Sequence, residues 1–235
     1  MTLEVCPYTP NHTSEAGFTL LELLVVMAVM SIMMIVVLPA VSGISGAGKV
    51  TKAAFDVAGT LEQARAYAMA NNTYVFVGFT ERDGIDPSKT GIGQILVASM
   101  GSIDGTRNFG ANNSNLFPLA KLRRIDNAHL QDSLPNSGAM ERPLVDATCR
   151  VGSDTFQLGD PFTSGFSFSP GNYSFTKIIQ FDPRGSASIP SSTLSIPHFM
   201  EIGLVGARGN LVASTTNCAA LILFGITGSV KIYRP

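Results

Sequence analysis

The dominant hydrophobic feature of the chain is a long apolar run over residues 23–38. Immediately before it lies the sequence G-F-T-L-L-E at residues 17–22, so that one carboxylate, Glu22, heads an otherwise uncharged segment of membrane length. A carboxylate left unpaired in hydrocarbon is energetically costly, so such residues are rare and usually functional. The pattern predicts an apolar helix from Phe18 to about Val41 whose glutamate meets a partner.

Behind this run, proline and glycine weaken the helical pattern before it resumes. Pro39 predicts a kink, and the glycine-rich residues 42–48 predict weak helix, because each glycine destabilises a helix by about 1 kcal/mol relative to alanine. Helical spacing returns at about Val50 and runs to about Asn71. The expected apolar stripe is Phe55, Ala58, Leu61, Ala64, Ala68 and Met69, widened by Ala54 and Val57.

After Asn72 the pattern changes from helical spacing to short strands. The predicted strands cover residues 74–79, 94–98, 177–181, 199–205, 219–224 and 229–233. Residues 121–125 fit a strand or a short helix, and we favour a strand. Residues 101–115 and 131–165 are expected to be mostly loop. The chain is therefore predicted to combine one long N-terminal helix with a β-rich region.

Composition adds little about partners. The chain has 16 Lys and Arg against 17 Asp and Glu, and this near-neutral balance indicates no preferred polyelectrolyte. Its many Gly, Ser, Asn and Thr residues and its lack of Trp are typical of an exported, loop-rich β domain.

Two cysteines, Cys149 and Cys218, lie beyond the N-terminal segment, which itself contains Cys6. An even number in an oxidising compartment predicts a disulfide, which would close a loop of about 70 residues and add roughly 4 kcal/mol. The alternative is two free, buried thiols.

The N-terminal residues resemble the processing and assembly signal of type IV pilins and type II secretion pseudopilins. In that family a membrane peptidase cuts after a glycine and methylates the new N-terminal phenylalanine, which here implies Gly17 and Phe18. Glu22 would then be the fifth residue of the mature chain and Pro39 the twenty-second, a common proline position. The resemblance implies an assembly role for Glu22 and Pro39.

The leader departs from that family in one respect. Residues 1–17 contain no Lys or Arg, and the first basic residue is Lys49, so the orientation across the membrane lacks the usual support of basic residues. Either the start is misassigned or this lineage tolerates a non-basic leader. An ordinary signal peptide or plain anchor explains neither the glycine before the apolar run nor Glu22.

Three further segments are similar to H-type minor pseudopilins and FimT-like minor pilins. They are residues 61–68 at the end of the long helix, the F-D-P-R-G turn at 181–185, and residues 228–232. The resemblance implies an α+β, pilin-like fold: a long N-terminal apolar helix, kinked near Pro39, packed on an antiparallel β-sheet head.

The sequence shows no catalytic constellation, no cofactor motif and no metal-ligand spacing. Lys121, Arg123 and Arg124 form the one small basic cluster and are the candidate nucleic-acid contact, although three cations without aromatic neighbours more often form a polar surface.

We therefore predict a non-enzymatic minor pilin or pseudopilin with a leader (1–17), a transmembrane assembly helix (18–48) and a head (49–235). The expected partners are other pilin subunits, prepilin peptidase and inner-membrane lipid, with the head in the periplasm and later in a filament. The alternatives are a DNA-binding minor pilin of an uptake pilus and a surface-anchored domain of unknown activity.

Overall fold

The structure, a computed structural model, describes residues 18–109, 113–136, 138–151, 169–170, 172–190 and 196–235. Side chains are not described for residues 36–47, 139 and 214. The chain divides into two compact units, and the second, Ile44–Pro235, contains the sheet and includes the residues predicted as the head (49–235).

Helix α1 spans Leu20–Asn71 and continues through Pro39 and the glycine-rich residues behind it. The predicted kink at Pro39 is not confirmed. A proline removes one backbone hydrogen bond, but a helix can continue around it when the turns on either side hold. Among the residues described with their side chains, no helix is both long and apolar enough to cross a membrane.

The end of α1 follows the sequence prediction. Asn72 adopts a left-handed conformation with φ 50°, and the Thr73 amide donates to the Ala68 carbonyl at 3.1 Å. This hydrogen bond, which follows a residue in the left-handed conformation, is typical of a helix C-cap. It satisfies a carbonyl of the last turn that would otherwise be unpaired. Asn71 and Asn72 therefore stop the helix as expected.

In the described part of the chain, ten strands form one sheet. The strands are β1 (Val75–Asp83), β2 (Gly93–Ser102), β3 (Leu116–Pro118), β4 (Arg123–Leu130), β5 (Arg150–Val151), β6 (Lys177–Phe181), β7 (Ala187–Ser188), β8 (Phe199–Arg208), β9 (Leu211–Phe224) and β10 (Val230–Tyr233). Their order is β10-β9-β8-β4-β2-β1-β6-β7, with β3 paired to β2 and β5 paired in parallel to β8. The remaining pairs are antiparallel. An α+β fold with an antiparallel sheet is thus confirmed, and residues 123–125 belong to a strand.

The C-terminal half of α1 covers one face of this sheet. Its buried stripe is Val50, Ala53, Ala54, Val57, Ala58, Leu61, Ala64 and Ala68. Phe55, predicted in the stripe, is 65% exposed, and Met69 is also exposed. Successive helical residues are rotated by about 100°, so a stripe centred on Ala54 and Val57 leaves Phe55 outside it. The small alanines let the helix backbone approach the strands closely.

Apolar side chains also cover the opposite face of the sheet, in two clusters. One contains Phe76, Leu96, Phe109 and Phe175, and the other contains Met140 and Cys218. Because successive side chains of a strand alternate between faces, neighbouring residues of β8 and β9 serve different clusters. The segment between β4 and β5 packs over this outer face through Leu134 and Met140.

The three segments that resemble minor pseudopilins meet in the head. The Arg65 Nε donates to the Gly185 carbonyl at 3.4 Å, and Gly185 has a φ of 85°. A β-carbon on Gly228 would collide with that same carbonyl oxygen. The end of α1, the turn after β6 and the turn before β10 therefore form one junction that requires glycine at two positions.

Candidate functional site

The first turn of α1 is capped by its own sequence. The Glu22 amide donates to Thr19 Oγ1 at 3.2 Å, and the Leu23 amide donates to the Thr19 carbonyl at 3.2 Å. Thr19 with Glu22 three residues later is the capping-box pattern, in which an acidic residue also complements the helix dipole. Sequence reasoning missed this role of Glu22, although the T-x-x-E spacing gave the signal.

The N-terminal part of α1 presents an apolar surface with one charge. Every side chain from Phe18 to Ile35 is exposed, and Phe18 itself is 82% exposed. The Ser31 hydroxyl donates a hydrogen bond to the Met27 carbonyl at 2.8 Å, so this side chain leaves no unpaired donor. The Glu22 carboxylate has no hydrogen-bond or ion-pair partner among the described residues. Exposed apolar surface of this extent marks an interaction site for lipid or protein.

This segment matches a known protein-family model. The model for the prokaryotic N-terminal methylation motif covers residues 12–38. The N-terminal segment is a prepilin-type motif. No curated protein and no solved structure gives a significant match to the chain.

The prepilin-type motif supports the type IV pilin and pseudopilin superfamily. It indicates a structural subunit that prepilin peptidase processes and that assembles with other pilin subunits. The match ends at residue 38, so it carries no information about the head.

The predicted processing residues are only partly within the described chain. Gly17 lies outside the described residues, Phe18 is the first of them, and α1 begins two residues later. Pro39 lies within the helix backbone, and its side chain is not described. The residues on either side of the expected cut thus directly precede the capped first turn.

The structure does not bring the predicted basic cluster together. Arg123 Nη1 contacts Asp56 Oδ1 at 2.8 Å on the helix-covered side, and Asp56 also pairs with Lys52 at 2.7 Å. Arg124 lies on the opposite face of β4 beside Tyr173. Alternation along the strand separates the two arginines, so Lys121, Arg123 and Arg124 do not form one continuous nucleic-acid contact.

The predicted disulfide is not formed, since Cys149 and Cys218 are both free thiols. Cys149 packs against the core beneath α1, whereas Cys218 lies on the outer face with its sulfur 3.6 Å from Met140 Sδ. The sheet therefore stands between the two side chains. Burial raises the pKa of both thiols above the usual range, which lowers their reactivity.

The thiol state gives a direct prediction. When the full chain is unfolded without reductant and treated with iodoacetamide, we expect Cys149 and Cys218 both to be alkylated, because the sheet keeps them apart until unfolding. Digestion and mass spectrometry of this sample, beside a pre-reduced control, measure it. A peptide pair linked through these two residues in the unreduced sample would contradict the structure.

The described residues contain no group of three or more His, Cys, Asp or Glu placed to hold a metal ion. Among the same residues, one buried histidine is paired: His129 Nδ1 lies 3.0 Å from Glu81 Oε1, which also accepts a hydrogen bond from the Leu130 amide at 2.7 Å. This pair joins β1 to β4 across β2 and is enclosed by the fold. The pair therefore has a structural role, because its hydrogen bonds connect two strands of the sheet.

Proposed function

We propose that the chain is a minor pilin or pseudopilin, a non-catalytic subunit of a type IV pilus or type II secretion-like filament. The observation that carries this proposal is the prepilin-type motif over residues 12–38, which leads into an exposed apolar helix bearing a single carboxylate. Prepilin peptidase cuts between Gly17 and Phe18 and methylates Phe18. The mature subunit then begins two residues before α1.

Before assembly, residues 18–48 anchor the subunit in the inner membrane and the head lies in the periplasm. The exposed apolar side chains from Phe18 to Ile35, followed by apolar sequence to residue 38, support this placement, since about 20 apolar residues cross a bilayer. After assembly the same surface packs against the helices of neighbouring subunits. Its several methionines suit such exchange because their flexible side chains fit irregular surfaces.

Glu22 supplies the polar interaction of this bundle. Cleavage creates a positively charged amine at Phe18, about one helical turn before the carboxylate, in the same or a neighbouring subunit. Pairing the two groups removes both unpaired charges from an apolar interior. The absence of a described partner for the Glu22 carboxylate in the single chain agrees with a partner supplied on processing or assembly.

Within the superfamily, we place the head nearest the H-type pseudopilins and FimT-like pilins. The convergence of Arg65, Gly185 and Gly228 supports this placement, because the three resembling segments form one junction and do not lie scattered. A DNA-uptake role is not favoured, since the basic cluster that suggested it is divided between two faces of the sheet.

Cleavage can be tested with a substitution beside the expected cut. When the full chain is co-expressed with prepilin peptidase, we expect loss of residues 1–17, and we expect Gly17→Asp to prevent it because the peptidase of this family cuts after glycine. Immunoblotting and intact mass of the membrane fraction measure the result. Ala16→Ser is the matched control and should be processed normally. A wild-type chain that stays full length, or a Gly17→Asp chain that is shortened equally, would refute the proposal.

A further inference from the structure

Two arginines share one tyrosine on the sheet face opposite α1. Arg82 of β1 lies with its guanidinium carbon 5.0 Å from the centre of the Tyr173 ring, and that of Arg124 of β4 lies 6.0 Å from it. Arg124 Nη2 also approaches the Tyr173 hydroxyl at 3.4 Å. We name these three residues the Arg–Tyr–Arg cluster. The aromatic ring positions both guanidinium groups on this face of the sheet.

Neither arginine of the cluster has a carboxylate partner among the described residues. The Nε of Arg82 is buried and has no hydrogen-bond acceptor. The acid nearest in strand register, Asp126, accepts a hydrogen bond from Gln94 Nε2 at 2.7 Å. Buried donors are normally satisfied, and the described residues supply no acceptor for this one.

An apolar cavity borders the outer apolar side chains against which Tyr173 also packs. It has a volume of about 430 Å³ and is lined by β2, the β3–β4 connection and Pro170. Leu122 lines it two residues before Arg124, and Leu122 and Tyr173 pack against the same apolar side chains of the sheet. Lys121 lies at the rim and is exposed. Cavities of this size and lining suit an apolar group held beside a few polar anchors.

We propose that this face binds an acidic peptide segment of a partner protein. An Asp or Glu carboxylate lies between Arg82 and Arg124, and a neighbouring Leu, Ile, Met or Phe side chain fills the cavity. Arginine donates to a carboxylate through two parallel N–H groups, which gives such a site both affinity and orientation. This inference goes beyond the proposed function and stands whether or not the chain enters a filament.

The charges on this face favour a peptide over nucleic acid. A duplex-binding surface neutralises several phosphates, whereas this face offers two arginines and the rim lysine, with Asp126 close by in register. The Tyr173 ring is already covered by guanidinium groups, so it does not offer a free surface for stacking bases. One carboxylate beside an apolar side chain matches both the charge and the cavity.

The test is a selection with the purified full chain in detergent. A phage library of random peptides of about nine residues is selected on it, and synthetic copies of the enriched peptides are titrated by fluorescence anisotropy. We expect enrichment of Asp or Glu next to a large apolar residue. Arg124→Gln and Arg82→Gln should each weaken binding about tenfold or more, because a charge-assisted hydrogen bond is lost.

Matched variants make the result specific to this face. Arg123→Gln removes the same charge from the preceding residue of β4. Because the Arg123 side chain faces Asp56 on the other side of the sheet, this variant should leave peptide affinity unchanged. Ala120→Phe occupies the cavity and should weaken peptides that carry the apolar residue. Thermal unfolding checks that each variant is folded. Because Arg124 is exposed, Arg124→Gln should fold normally, and it tests the site even if Arg82→Gln fails to fold.

Several outcomes would overturn the proposal. These are no enrichment of acidic peptides, equal binding by wild type and Arg124→Gln, or equal loss with Arg123→Gln. Binding of an about 20-nucleotide single-stranded DNA that disappears in Arg124→Gln would assign the face to nucleic acid instead. Polyanion binding would also weaken steeply between about 50 and 200 mM salt, whereas a contact through two arginines weakens far less. None of these results depends on Gly17 cleavage, so failure here leaves the proposed function untouched.

Discussion

Replacing Glu201 with alanine is expected to lower the free energy of unfolding of the head by about 3–5 kcal/mol. Arg142 donates to Glu201 Oε1 through Nη2 at 2.6 Å and through Nε at 3.1 Å, and both side chains are almost fully buried, at 4% and 3% exposure. Removing the carboxylate leaves a charged guanidinium inside the protein without its counterion. That unpaired charge, more than the lost attraction, causes the destabilisation.

The position of this pair explains why its loss affects more than one contact. Glu201 lies on β8, and Arg142 also donates to the carbonyls of Leu134 and Pro135. Arg142 therefore fixes the irregular segment between β4 and β5 over the outer face of the sheet. Without Glu201, this covering segment loses its buried ion pair with β8 and keeps only its apolar and backbone contacts there.

Urea unfolding of the full chain in detergent, followed by circular dichroism, measures the effect. Glu141→Ala is the matched control, because Glu141 is exposed beside Arg142 in sequence and its loss should change stability by less than about 0.5 kcal/mol. The double variant Arg142→Met with Glu201→Leu should recover part of the lost stability, since it removes both fully buried charges and leaves only Arg150, the partly exposed second partner of Glu201 at 3.7 Å. A loss below about 1 kcal/mol for Glu201→Ala would show that the pair is not buried as described.

Replacing Glu22 with glutamine is expected to exclude the subunit from filaments while leaving cleavage intact. The change keeps a side chain suited to the capping box but removes the negative charge. The Phe18 ammonium would then enter the helix bundle unpaired. Burying that unpaired charge costs about 3–5 kcal/mol of assembly free energy, which corresponds to at least about a hundredfold loss of incorporation. Co-purification of the variant with filaments from cells that express the other subunits measures this loss.

Thr19→Ala separates charge pairing from helix capping. It removes the hydroxyl that accepts a hydrogen bond from the Glu22 amide but keeps the Glu22 carboxylate. The stability of the first helical turn should fall by about 1 kcal/mol. We therefore expect Thr19→Ala to assemble far better than Glu22→Gln, and Glu22→Ala to assemble no better than Glu22→Gln. If Thr19→Ala were excluded as strongly as Glu22→Gln, or Glu22→Gln assembled normally, Glu22 would act as a cap and not as a charge partner.

The elements that the sequence predicted well are those defined by local pattern. The end of α1 at Asn71 and strand β6 (Lys177–Phe181) agree with prediction because stop residues and apolar alternation act within a few positions. The Phe55 prediction was wrong because helical spacing alone does not say which of two adjacent apolar stripes meets the sheet. In this head the alanine-rich stripe does, and the larger side chain is left outside.

The polar sites could not be predicted in the same way, because each one depends on strand order and register. Arg142 and Glu201 are 59 residues apart and meet only after β8 is placed next to β4 and β5. The Arg–Tyr–Arg cluster likewise joins three distant segments of the chain. The capping box is the exception, since Thr19 and Glu22 are local and their spacing was visible in the sequence.

The central claim is that prepilin peptidase processes the chain at Gly17. The most direct test is the intact mass and N-terminal sequence of the protein purified from its native membranes. Our account predicts a mature chain that begins at N-methylated Phe18. A chain that still begins at Met1, or one cut after residue 38, would contradict it and would indicate an ordinary anchored or secreted domain.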